Sequence, residues 1–170
     1  MKKDIKKVTE FHFFLRGWES QWHRRPMTID GVKYNCCEQY MMAEKARLFN
    51  DHATLRKIMA TTSPREQKDL GREVKNFDKG KWEEMLPWRD TVKPYCWQRV
   101  WHGNFHKFSQ HADLREKLLA IPGTLVEVNP RDAIWGIGLA EDSHLINDPK
   151  TWQGKNWLGE VLTSVRDELK

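Results

Sequence analysis

Glu38 and Lys45 stand seven residues apart in the run Glu38-Gln39-Tyr40-Met41-Met42-Ala43-Glu44-Lys45-Ala46-Arg47-Leu48-Phe49. On a helix, at about 100° per residue, Met41, Met42, Ala46, Leu48 and Phe49 form one apolar stripe. Glu38 and Lys45 fall in the middle of that stripe, whereas Glu44 and Arg47 fall outside it. A carboxylate and an ammonium facing a core are costly unless they are paired, hydrogen-bonded or lining a cavity. They are separated by roughly 10 Å along the axis, at about 1.5 Å per residue, which is too far for a comfortable direct pair. A cavity with a ligand between them is one reading; separate pairing of each with other buried polar groups is the other.

A second segment, Glu127-Val128-Asn129-Pro130-Arg131-Asp132-Ala133-Ile134-Trp135-Gly136-Ile137-Gly138, places an acid and then Trp-Gly-x-Gly after a short apolar run. Such a loop can bring Asp132 and Trp135 to a pocket. Equally, Asp132 can cap a turn while Trp135 fills core. A third segment, Trp152-Gln153-Gly154-Lys155-Asn156-Trp157-Leu158-Gly159, is a glycine-containing entry to a helix. Helix starts of this kind bind phosphate through free amides, although a plain turn has the same pattern. His102 and His106 lie one helical turn apart, but no third ligand stands at a metal-site spacing. No P-loop, dinucleotide fingerprint or nucleophile elbow is present.

The elements that must position these groups read as an α-rich α+β single domain. Residues 11–15 have strand character, and 27–34 a hairpin turning at Asp30-Gly31. Helical spacing covers 37–50, and Ser63-Pro64-Arg65-Glu66 is a capping-box start for a helix reaching about Asn76. Pro87 and Pro94 break the next stretch. Helices then run through Trp97 to Phe108 and through Leu114 to Leu119, and Pro122-Gly123 stops the second. A strand at 125–128 and a final amphipathic helix at 158–169 complete the order.

The 170 residues suit one domain, with a tail over 1–10 and the domain over 11–170. No apolar run approaches the roughly 20 residues of a membrane span. The basic start at residues 1–7 has no apolar stretch behind it, so it does not read as a secretory signal. Three cysteines, Cys36, Cys37 and Cys96, make a poor disulfide framework and suit a reducing compartment. A cytoplasmic location is the expectation. The formal charge of +5 biases the chain mildly toward anionic partners, since 29 basic residues are interleaved with 24 acidic ones.

In this order the segments resemble the NADAR (YbiA-like) family from about Phe11 to Leu169. The similarity runs through Ser20-Gln21-Trp22, Asp30-Gly31, Cys37-Glu38-Gln39-Tyr40, Lys45-Ala46, Ser63-Pro64, Gly71-Arg72 and Trp82. It continues through Lys107-Phe108, Leu118-Leu119, Glu127, Asp132, Trp135-Gly136, Gly154-x-Asn156 and Leu158-Gly159. Gln21 stands where the family usually has Asn. The stretch between Trp82 and Lys107 is longer than in many relatives, so Trp88 and Trp97 compete with Trp82 for the family's tryptophan position.

The resemblance implies a compact, predominantly helical α+β domain with a few short strands and no metal or organic cofactor. It implies hydrolysis of an N-glycosidic bond joining a ribose phosphate to nitrogen. The substrate is then either an amino-pyrimidine intermediate of riboflavin synthesis or ADP-ribosylated guanine in nucleic acid. Glu38 and Asp132 are expected as the acidic pair, and Lys45 as phosphate ligand or proton donor. Ser20, Gln21, Tyr40, Arg72, Trp82, Trp135, Gly136 and Asn156 are expected around the substrate. The rival from another class is a non-catalytic module that binds ADP-ribose or nucleic acid.

Overall fold

Three short strand pairs and seven helices make up the described part of the chain, residues 10–170 of a computed structural model. The tail expected over 1–10 lies, apart from Glu10, outside the described residues. In chain order come β1 (Phe11–Phe14), β2 (Met27–Ile29), β3 (Val32–Tyr34), α1 (Cys37–Leu48), α2 (His52–Ala60), α3 (Pro64–Arg72) and α4 (Lys79–Trp82). The hairpin β4 (Met85–Trp88) and β5 (Thr91–Pro94) follows, then α5 (Tyr95–Gln110), α6 (Ala112–Ala120), β6 (Thr124–Glu127) and α7 (Trp157–Leu169). The class is α+β and mainly helical, as expected.

Local chemistry accounts for most boundaries. The β2–β3 turn has Asp30 and Gly31 at φ of 50° and 79°, the left-handed pair that a two-residue hairpin requires. Helix α1 stops near Asn50, which takes a φ of 55°. Asp51 then caps α2 by accepting from the Thr54 amide at 3.0 Å.

Three readings change. Helix α2 occupies a stretch for which no element was expected, because Asp51 restarts the helix at once. Helix α3 ends at Arg72 rather than near Asn76. Its capping box is half formed: Ser63 Oγ accepts from the Glu66 amide at 3.4 Å, while the Ser63 amide donates to Thr61 Oγ1. Finally, the proline-broken stretch is the β4–β5 hairpin, with Pro87 opposite Val92. A two-stranded ribbon is all edge, so a strand proline leaves no central ladder bond unmade.

Helices α1 and α5 pack together, with α2 and α3 on the far side of α1 and α7 beside α5. Strands β1 and β6 pair in parallel, from Phe11 opposite Thr124 to Phe14 opposite Glu127. Leu125 faces the main core with Phe108, Leu118, Leu162 and Val165. Val126 and Val128 face a second apolar cluster with Ile137 and Leu139. Strand β6 is therefore covered on both sides, as parallel strands usually are. Alternation turns Glu127 to the same side as Leu125, and the residue is buried there.

Candidate active site

Glu38 lies in the first turn of α1, where no side chain caps the helix. Its amide donates instead to the Gln21 carbonyl at 3.0 Å. The loop carrying Gln21 is bolted to α5. Lys107, fully buried, donates from Nζ to the carbonyls of Trp18 at 2.6 Å and Ser20 at 3.1 Å. Asn104 Nδ2 donates to Gln21 Oε1 at 2.7 Å. Burial holds the Lys107 ammonium below the usual lysine range. Two of the sequence's matching segments, 20–22 and 107–108, thus meet in space as a loop and its anchor.

The Glu38 carboxyl is buried and pushed up to about 7. Burial is the main cause and the Asp132 charge adds to it; Lys68, the Trp22 indole hydrogen bond and Arg72 pull the other way. A second acid behaves alike. Glu127 is pushed up to about 7, first by burial and then by Asp132, against Asn129 and Lys68, with Glu38 adding a smaller push. Its Oε2 has no hydrogen-bond partner among the described residues. Three acids from α1, the end of β6 and the following loop therefore feel one another. Among the described residues they do not gather into a metal-binding group.

Asp132 caps the turn after β6, with Oδ1 accepting from the amides of Ile134 at 2.9 Å and Trp135 at 2.8 Å. Its field nonetheless reaches both glutamates. Trp135 packs edge-on to Trp157, ring centroids 5.7 Å apart. Gly136 permits a close crossing: a Cβ there would stand 2.9 Å from Asn129 Cβ and 3.0 Å from the Glu127 carbonyl.

Cations flank the acids. Lys45 is half-buried with Nζ 4.1 Å from the centroid of the Phe77 ring, and its pKa is lowered by burial and by Arg72. Arg72 pairs with Asp69 at 3.3 Å at the exposed end of α3. Lys68, one turn earlier, lies 6.0 Å from the Trp22 ring, which Arg65 approaches at 5.7 Å.

The remaining expected residues make other contacts. Tyr40, about 200° around α1 from Glu38, is buried against Tyr34 and lies beside His102 and Gly103. Trp82 is buried with its ring edge-on to Tyr95. Ser20 Oγ accepts from the Trp22 amide, a turn-forming bond. Asn156 spends both amide atoms on β6: Oδ1 accepts from the Glu127 amide at 3.0 Å, and Nδ2 donates to the Leu125 carbonyl at 3.1 Å. It holds the strand that carries Glu127 rather than facing open space. Trp88 packs against both Trp97 and Trp101, away from the acids' neighbours.

Two members of the cluster had no role in the sequence reading. Glu127 was matched in the motif order without an assignment, though an acid closing an apolar strand was its signal. Lys68 was signalled only by its spacing to Arg65 and Arg72 along one face of α3.

The fold is a mainly helical α+β domain that carries two buried acids pushed up to about 7, with cations at their edge. More narrowly, the chain belongs to the family of the NADAR domain, whose model matches residues 7–170. An N-glycosidase of Acanthamoeba polyphaga mimivirus is 40% identical over 138 residues, covering 81% of this chain and 75% of its own length. Protein irg-1 of Caenorhabditis elegans is 38% identical over 139 residues, with 81% of this chain aligned to 62% of the worm protein. The N-glycosidase YbiA of Escherichia coli is 32% identical over 145 residues, 85% of this chain and 76% of its own. The solution structure of E. coli YbiA superposes with a TM-score of 0.72 at 29% identity, covering 94% of this chain and 84% of that one.

Proposed function

We propose that this chain is a NADAR-type N-glycosidase, hydrolysing the C–N bond between a phosphorylated ribose or ADP-ribose and an amino-pyrimidine or guanine base. The relatives named N-glycosidase support the reaction type. The observation that carries the chemistry is the Glu38 carboxyl, buried and pushed up to about 7, with Asp132 acting on it and on a second buried acid, Glu127, in the same condition. Cleavage of such a bond builds positive charge on the ribose, as in glycoside hydrolysis generally. A buried carboxylate stabilises that charge, and a carboxyl near neutral pH can exchange protons with water or the leaving base. Lys68, Arg72 and Lys45 suit the phosphate, and the exposed Trp22 ring, approached by Arg65 and Lys68, suits stacking on a base.

A module that only bound an anion would gain nothing from two acids without cationic partners at its centre. The test is a product assay on two substrates with wild type and Glu38→Gln: a phosphoribosylamino-pyrimidine and an oligonucleotide bearing ADP-ribosylated guanine. Loss of turnover by about 10²- to 10⁴-fold in the variant is expected. Full activity in a folded Glu38→Gln protein overturns the role of Glu38. Tight ADP-ribose binding with no turnover of either substrate establishes the binding module instead.

A further inference from the structure

The backbone of Glu127 is held on both sides. Its amide donates to Asn156 Oδ1 at 3.0 Å, and its carbonyl accepts from the Ile137 amide at 2.9 Å. Gly136 passes against that carbonyl where a larger residue would collide. Yet the side chain on this fixed backbone leaves Oε2 buried and unpartnered among the described residues. Leaving a buried polar atom unsatisfied is costly, so in a native site it calls for a reason. A protonated carboxyl needs an acceptor, and a departing nitrogen with a lone pair is one. The other groups are less suited: Asp132 spends Oδ1 on two amides, and the Lys45 ammonium lies over Phe77, two helical turns from Glu38.

We propose that Glu127 is a catalytic residue that protonates the departing base nitrogen through Oε2, while Glu38 faces the attacking water. This rests on the N-glycosidase reading. The C1′–N bond breaks and its electron pair takes the Glu127 proton; the oxygen of water bonds to C1′ and gives one proton to the Glu38 carboxylate. The net change is one proton moved from Glu127 to Glu38, and exchange with solvent resets the pair. The groups facing Glu127 fit that state. Asp132 from the following loop and Glu38 from α1 favour its protonated form, while Lys68 from α3 and Asn129 keep its proton exchangeable near neutrality. Asn156, Gly136 and Ile137 are then positioning residues that hold the donor.

The test compares leaving groups. Wild type and Glu127→Gln are assayed on the amino-pyrimidine and guanine N-glycosides and on 4-nitrophenyl riboside 5-phosphate, whose phenolate departs without a proton. Expected is a loss of about 10²- to 10³-fold on the N-glycosides, and less than about ten-fold on the nitrophenyl substrate. The residual activity also loses the alkaline limb of its kcat/KM profile. Equal losses on both kinds of substrate, or an unchanged pH profile, overturn the assignment while leaving the N-glycosidase reading in place. A wild type inactive on both N-glycosides overturns the two together. Should Glu127→Gln fail to fold, Glu127→Asp takes its place: it keeps the acid one methylene short, and must again lose more on the N-glycosides than on the nitrophenyl substrate.

Discussion

Two regions of the molecule carry acids, cations and tryptophans, and they use them in opposite ways. Between the β4–β5 hairpin and α7 lies an open groove of about 490 Å³, lined by Trp88, Arg89, Lys93, Trp97, Glu160 and Glu168 among others. Its charges answer one another across water: Arg89 meets Glu168 at 2.7 Å and Lys93 meets Glu160 at 3.2 Å. Around Glu38 and Glu127 the two acids are drawn inward while Arg72 and Trp22 stay exposed, and neither acid has an ion pair among the described residues. Exposed pairs contribute little to stability or reactivity. Burial without a partner instead lifts both carboxyls toward neutrality, where proton transfer is useful. The difference teaches that the open groove and the acids with the most raised proton affinity lie in different places, and the proposed chemistry follows the acids.

The sharpest way to break the comparison is Glu38→Gln, whose loss of about 10²- to 10⁴-fold in kcat/KM has no counterpart at the hairpin. Next is Asn156→Ala. It leaves the Glu127 amide and Leu125 carbonyl without their partner, inside a segment where Asn156 itself takes a φ of 55°. Destabilisation of about 2–3 kcal/mol is expected from denaturant unfolding.

A third measurement is stability against pH. Glu38 and Glu127 titrate near 7 folded against an ordinary 4.5, so folding takes up protons between those values. Stability from these groups therefore falls as pH rises from about 4.5 to 7. Glu38→Gln and Glu127→Gln should each stabilise the protein by about 1–3 kcal/mol at pH 8 and by almost nothing at pH 4. An equal gain at both pH values removes the argument from burial. The smallest effect belongs to the other region: Arg89→Ala should cost less than about 0.5 kcal/mol and leave turnover within two-fold, read by thermal melting and the same assay. A ten-fold loss of turnover there joins the two regions functionally.

Much of the scaffold was legible because its signals are local. The seven-residue spacing of Glu38 and Lys45 placed both on one face of α1, and Asp30-Gly31 marked its hairpin. The β4–β5 ribbon was hidden because Pro87 and Pro94 read as breaks, and only an all-edge ribbon tolerates them in strands. The site was legible in part. Glu38 and Asp132 were singled out and lie within electrostatic reach of each other. Asn156, expected at the substrate, is spent on the backbone of β6, and Tyr40 turns to the far side of α1.

By itself the sequence determined periodicity, turn chemistry and the order of motifs, because these depend on residues a few positions apart. Which acids lose their water was decided by tertiary structure alone. Glu127 is buried because β1 pairs in parallel with β6 from more than a hundred residues away, α7 covers one face, and Ile137 and Leu139 help close the other. Glu38 is buried because a loop anchored by Lys107 docks on the start of its helix. A carboxyl's proton affinity follows the solvent and charges around it, and those are supplied by segments that the chain brings together only on folding.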